Sequence, residues 1–123
     1  MESLRPFELP SASMLGLNME LRGKKLGLLV SCPPEAANFL HAICLAESAL
    51  SRGVTVFFYC LDEAVRGLPN SRLQALRVRG VRLFACALAA QRRGVPFDDS
   101  ATFCGLTLIN EIIASSDRFL SLN

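Results

Sequence analysis

The chain has no tryptophan, one tyrosine and one histidine in 123 residues. A lone His41 makes no catalytic dyad, so chemistry built on a histidine base has little to stand on. The five cysteines are odd in number, and no two have C-x-x-C spacing. That argues against a disulfide framework and against a zinc ribbon. Nothing matches G-x-G-x-x-G or a P-loop, so no cradle for a nucleotide phosphate is read. No apolar run is long enough to span a bilayer. No basic stretch with a long apolar core opens the chain, where Glu2 and Glu8 lie instead. Five unpaired thiols then imply a reducing compartment, and the cytoplasm is the expected location.

Acidic residues are missing from one long segment. Between Ala64 and Phe97 there are seven arginines (Arg66, Arg72, Arg77, Arg79, Arg82, Arg92 and Arg93) and no Asp or Glu. This pattern has two readings. One is a solvated helix face with loop ends. The other is a local positive field, favouring a thiolate and an acidic protein partner. The net charge of +2 argues neither for nor against nucleic acid.

What the chain does have is apolar bulk. Hydrophobic residues make up 51% of it. Its length suits one domain with a core that needs no metal or disulfide. A chain this small has too little interior for so much apolar surface, so some is expected to be buried between subunits.

Residues 1–23 carry Pro6, Pro10, Ser11 and Ser13 and no period, which reads as an N-terminal arm, partly disordered. Residues 24–123 read as the domain. Leu26–Ser31 is a short apolar run stopped by Pro33 and Pro34, a buried strand. Pro34 and Glu35 suit a helix start, and apolar residues recur at helical spacing to Ser51, with Gly53 as the stop. Cys44 falls inside this helix and reads as a small core residue. His41 falls off its apolar face. Val54–Cys60, β-branched and aromatic, is the clearest strand.

A short helix at Asp62–Gly67 and a turn at Leu68–Asn70 follow. Ser71 is read as the cap of a helix carrying Leu73, Leu76 and Val78, closed by Gly80. Val81–Cys86 is a third strand and Ala87–Arg93 a short helix stopped by Gly94. Pro96–Asp99 is a loop, Phe103–Ser116 a last helix, and Asp117–Leu122 a final strand. Strands alternating with helices mean parallel βαβ units. The expected fold is α/β, a three-layer flavodoxin-like sandwich with a mostly parallel sheet of four or five strands.

In such sheets, sites form at the carboxyl ends of the strands. Cys32 follows the first strand, Cys60 ends the second and Cys86 ends the third. Cys86 has the best environment. It stands where a strand hands over to a helix, and backbone N–H groups there favour an anion. The thiolate is the nucleophilic form of cysteine. The plain alternative is a strand-end cysteine that only packs.

The segment Gly80-Val-Arg-Leu-Phe-Ala-Cys86-Ala-Leu-Ala-Ala-Gln-Arg-Arg-Gly94-Val95 resembles the cysteine-containing segment of the DsrE/TusD family of small sulfur-relay proteins. Gly105-Leu106 opening a helix and Asp117-Arg118 before a final strand are similar to it as well. The resemblance covers roughly Lys25 to the C-terminus. It implies that Cys86 accepts a sulfane sulfur as a persulfide and hands it to a partner thiol. The protein would be a sulfur carrier or sulfurtransferase subunit. Its partners would be sulfur donor and acceptor proteins, within a homo- or hetero-oligomer, a trimer or hexamer. No direct nucleic-acid contact, membrane contact, cofactor or metal is expected. A non-catalytic interaction subunit on the same fold is the alternative. A metal or redox sensor built from Cys32, Cys60 and Cys86 is the third reading. Cys104 departs from the family pattern. It is read near a helix N-terminus, either as a secondary thiol that resolves a Cys86 persulfide or disulfide, or as a serine-like filler.

Overall fold

Hydrophobic runs that leave no polar alternation are buried on both sides, and the central strand here shows why. In the computed structural model, which describes residues 20–123, the sheet order is β4-β3-β2-β1-β5 and every pairing is parallel. The strands are β1 (Lys25–Val30), β2 (Thr55–Cys60), β3 (Arg82–Cys86), β4 (Thr102–Cys104) and β5 (Arg118–Leu122). The most apolar segment, β2, is the middle one, with Val56, Phe58, Tyr59 and Cys60 buried. The helices are α1 (Ala37–Ser51), α2 (Ser71–Val78), α3 (Ala87–Arg92) and α4 (Thr107–Ser115), with a 3-10 turn at Asp62–Gly67.

The strand order sets the layers. Each step from β1 to β4 moves to the next position in one direction, so right-handed crossovers put α1, α2 and α3 on one side. The return from β4 to β5 runs across the other side and carries α4. Gly27 fits this placement, because a Cβ there would meet Ile112 of α4 and Phe119 of β5. The face under α1 and α2 holds Leu28, Val30, Val56, Phe58, Leu83 and Ala85, all buried. Alternate residues point to the opposite face. There Leu29, Phe57 and Phe84 are only partly covered among the described residues.

The architecture is the α/β sandwich that the strand and helix alternation predicts, with five strands. Four were read from the sequence within a residue or so. The fifth, β4, falls where the sequence pattern predicts the start of the last helix. Three residues at a sheet edge carry no period to betray a strand. The last helix therefore begins at Thr107 rather than Phe103. The loop before β4 is held by Phe97 stacking on Phe103, ring centroids 4.7 Å apart.

Other boundaries move for local reasons. Pro33–Ala36 form a turn, with Ala36 N–H donating to the Pro33 carbonyl, so α1 starts at Ala37 rather than Glu35. The cap of α2 is Asn70, not Ser71. Its side chain accepts from the N–H groups of Arg72 and Leu73 at 2.9 and 3.1 Å. Val78, read on that helix's apolar side, points outward. Gly53 and Gly80 take left-handed backbone just after α1 and α2, as helix-stopping glycines do.

Residues 1–19 of the expected arm lie outside the described residues. Its last part is joined to the domain: Gly23 N–H donates to the Gly53 carbonyl, and Lys24 N–H to that of Leu21.

Candidate functional site

Three strands end side by side at the carboxyl edge of the sheet, and what they carry decides the site. Cys86 is the last residue of β3 and the N-cap of α3. Its Sγ accepts from the Ala89 N–H at 3.5 Å. The chain turns from strand to helix at this residue, which aims the thiol at the open helix end. Cys86 is 4% exposed, yet it borders a cleft of about 460 Å3 between the 3-10 turn and α3. Asp62, Glu63, Arg92 and Arg93 share the wall of that cleft. Asp62 is the only non-glycine residue with left-handed backbone among those described, at φ 52°. Such strain persists where the surroundings hold it, and it gathers at working sites.

Cys104 lies elsewhere than its sequence suggested. It ends β4 rather than sitting at a helix start, and its Cα is the register partner of the Cα of Cys86. Partners on adjacent parallel strands share a face, so the two thiols are neighbours. Tyr59, two positions back in that face's pattern on β2, completes the group. Its hydroxyl donates to the Gly105 carbonyl at 3.0 Å and lies against both the Cys86 and Cys104 sulfurs. Burial pushes the Tyr59 phenol well above its ordinary range, and the neighbouring thiols add to this, so it stays protonated and acts as a donor. Burial also raises the Cys104 thiol, while the Tyr59 hydroxyl acts the other way.

Cys32 and Cys60 do not join this group. Cys60 is opposite Ala85 in register, so it points to the face under α1 while Cys86 points away from it. Cys60 is fully enclosed, and burial drives its thiol far up, with Cys32 as a secondary influence. Burial raises Cys32 too. The sheet edge thus holds two separate cysteine pairs, one on each face. Cys60 and Cys86 point to opposite faces, so Cys32, Cys60 and Cys86 do not converge as one three-thiol metal site.

Cys44 is a correction. The sequence predicts a core residue, but Cys44 is exposed on α1, with an Arg72 nitrogen 3.4 Å from its sulfur. The buried stripe runs through Phe39, Ala42, Ile43 and Ala46, and position 44 falls off it. His41 is exposed as expected, its Nδ1 3.2 Å from the Asn38 side-chain oxygen.

The arginine run is not an unopposed field. Acidic groups from outside the segment meet it: Arg66 pairs with Glu35 and, three residues away, Glu63, Arg72 with Glu47, and Arg93 with Glu63. These guanidinium groups hold the three carboxyls below their usual range. Among the described residues Arg92 makes no ion pair, and it faces the cleft beside Cys86.

The fold and this edge define a parallel α/β domain with a thiol at a strand-to-helix turn. No protein-family model matches the chain, and no curated protein matches its sequence. Among solved structures it is similar to the ychN protein from E. coli, with a TM-score of 0.69 and 16% identity over 80% of this chain and 98% of that one. At this identity the likeness speaks for the α/β fold alone. No described helix is long and apolar enough to cross a membrane.

Proposed function

We propose that this protein is a sulfur carrier or sulfurtransferase subunit that holds sulfane sulfur as a persulfide on Cys86. The observation that carries the reading is the place of Cys86. It ends a central-sheet strand, caps a helix through its sulfur, and borders a cleft with Arg92. The α/β fold and the likeness of the Gly80–Val95 segment to sulfur-relay proteins support it. The chemistry balances as thiol exchange. The Cys86 thiolate attacks the outer sulfur of a donor persulfide, the donor's S–S bond breaks, and the donor leaves as a thiolate. A partner thiolate then takes the terminal sulfur, and Cys86 is regenerated. The Ala89 N–H donates to the Cys86 sulfur, and Arg92 on the cleft wall offers a positive charge to an incoming persulfide.

Donor and acceptor proteins need a surface to meet. Leu88 and Leu106 are 51% and 54% exposed and stand on the rim of the cleft. Apolar rim residues beside a buried thiol suit a docked partner, or a neighbouring subunit of a trimer or hexamer. The five free cysteines suit a reducing compartment such as the cytoplasm.

A second reading rests on the burial of Cys86, which is 4% exposed. It is that of an interaction subunit that completes an oligomer and transfers no sulfur. Intact mass after incubation with a persulfide donor separates the two. Wild type should gain one sulfur, lose it to reductant, and show no gain as Cys86→Ser. A gain retained in the variant overturns the proposal, and no gain in wild type leaves the interaction subunit.

A further inference from the structure

We infer that Cys104 is a resolving thiol for Cys86, so that the two form an intramolecular disulfide and release the carried sulfur as hydrosulfide when no acceptor takes it. This rests on the persulfide reading of Cys86 and adds a second outcome to the same site.

The argument begins with the register. Cys86 and Cys104 are Cα partners on neighbouring parallel strands. Such strands lie about 4.7–4.9 Å apart. A disulfide accepts Cα separations of about 4.4–6.8 Å, so the strand spacing falls in range, and a small shift of the edge strand would bring the Cβ atoms within the about 3.5–4.5 Å that the bond needs. The side chains share a face, and the Tyr59 hydroxyl lies against both sulfurs. β4 is an edge strand of three residues with a strand neighbour on one side only, so Cys104 has room to adjust.

The site also separates two directions of attack. The cleft is walled by Cys86, α3 and the 3-10 turn, and Cys104 is not on its wall. A partner thiol arriving through the cleft meets the terminal sulfur of a Cys86 persulfide. Cys104, beside Cys86 within the sheet edge, meets the inner sulfur. Attack there forms the Sγ–Sγ bond and breaks the bond to the terminal sulfur, which leaves with the electron pair as HS⁻. The sulfane sulfur is reduced by two electrons and the two thiols are oxidised by two. Cys104 gives its proton to solvent beforehand. An external dithiol reductant returns the disulfide to two thiols.

The test treats wild type, Cys104→Ser and Cys86→Ser with inorganic polysulfide, then removes the excess. It follows intact mass, released sulfide and the cysteine-bearing peptides. Wild type should end two hydrogens lighter than it began, with a Cys86–Cys104 crosslinked peptide and released sulfide. Cys104→Ser should stay one sulfur heavier and release several-fold less sulfide. Sulfide release from wild type should quicken with rising pH. A wild-type persulfide as long-lived as that of Cys104→Ser, with no crosslinked peptide, overturns the resolving role and leaves Cys86 as a carrier. No sulfur gain in Cys104→Ser and no crosslink in wild type overturn both the carrier and the resolving step. Cys104→Ala, which cannot hydrogen-bond to Tyr59, should behave as Cys104→Ser. If it alone resolves the persulfide, the thiol is not the agent.

Discussion

Cys86 and Cys104 close two adjacent parallel strands at the same level, and Cys86 alone also opens a helix. The Cys86 sulfur therefore does two jobs, one structural and one chemical, and a serine separates them. A hydroxyl is a better N-cap acceptor than a thiol for the Ala89 N–H now 3.5 Å away. Cys86→Ser should keep or raise stability, by no more than about 1 kcal/mol, while losing all sulfur loading. Denaturant midpoints of the two proteins check the first part. A drop larger than that gain would mean the thiol mainly packs.

Tyr59 links the two thiols to the backbone, and its hydroxyl is the side-chain polar group most deeply placed in the site. Tyr59→Phe removes the bond to the Gly105 carbonyl and should cost about 1 kcal/mol. The same change removes the influence that opposes burial at Cys104. The Cys104 thiol should then titrate at still higher pH, and its alkylation by iodoacetamide should slow at neutral pH. Peptide-resolved alkylation rates in wild type and variant measure this. An unchanged Cys104 rate would mean that Tyr59 does not act on it.

Helix α2 tests how finely a cap can be read. Both Asn70 and Ser71 are good capping residues, and the pattern of Leu73 and Leu76 fits either start. The structure selects Asn70, whose side chain accepts two backbone N–H groups. Asn70→Ala should cost about 1 kcal/mol in a denaturation experiment. Ser71→Ala should change stability little, since alanine suits the first turn. Equal losses would place the cap wrongly.

The same contrast runs through the whole chain. Cys86 was legible because a strand, a cysteine and an alanine-rich helix follow one another locally. Cys104 was legible as a candidate but not as a neighbour. Its closeness comes from the pairing of β3 with β4, and three residues at an edge leave no period in the sequence. The exposure of Cys44 was missed by about a quarter-turn of helix. Its helix is apolar enough that several stripes look plausible until the sheet chooses one. The arginine run misled because charge along the chain is not charge in space. Glu35, Glu47 and Glu63 come from α1's entrance, α1 itself and the 3-10 turn to meet it.

Gly27 in β1 is silent in sequence and decisive in packing. A Cβ there would lie 2.7 Å from a Phe119 ring carbon, 2.8 Å from Ile112 Cγ2 and 2.9 Å from the Ser116 hydroxyl. Ile112 and Ser116 belong to α4 and its C-terminal end and Phe119 to the neighbouring strand β5, and α4 lies close on the sheet because nothing projects from this position. Gly27→Ala should therefore destabilise the protein by about 1–3 kcal/mol through overpacking. β5 should loosen first, seen as faster amide exchange at its pairing with β1. A neutral substitution would show that this layer yields easily.

The buried thiols and phenol make the fold sensitive to alkali, and the sign follows from their direction. Burial raises Cys60, Cys104 and Tyr59 above their ordinary values in the folded chain. Above the ordinary thiol value of 9.0, the unfolded chain has lost protons that the folded chain still holds. The unfolded state then binds fewer protons, so stability falls as pH rises. Their contribution is fully present below that value and is lost progressively above it. Cys60 should carry most of the thiol part, since it is the most completely enclosed. Cys60→Ala should lower stability at neutral pH, as a buried large-to-small change does, and should flatten the decline above pH 9.0. Denaturant midpoints measured across neutral and alkaline pH decide it. An alkaline decline as steep in the variant as in wild type would assign the effect to Tyr59, Cys104 and Cys32 instead.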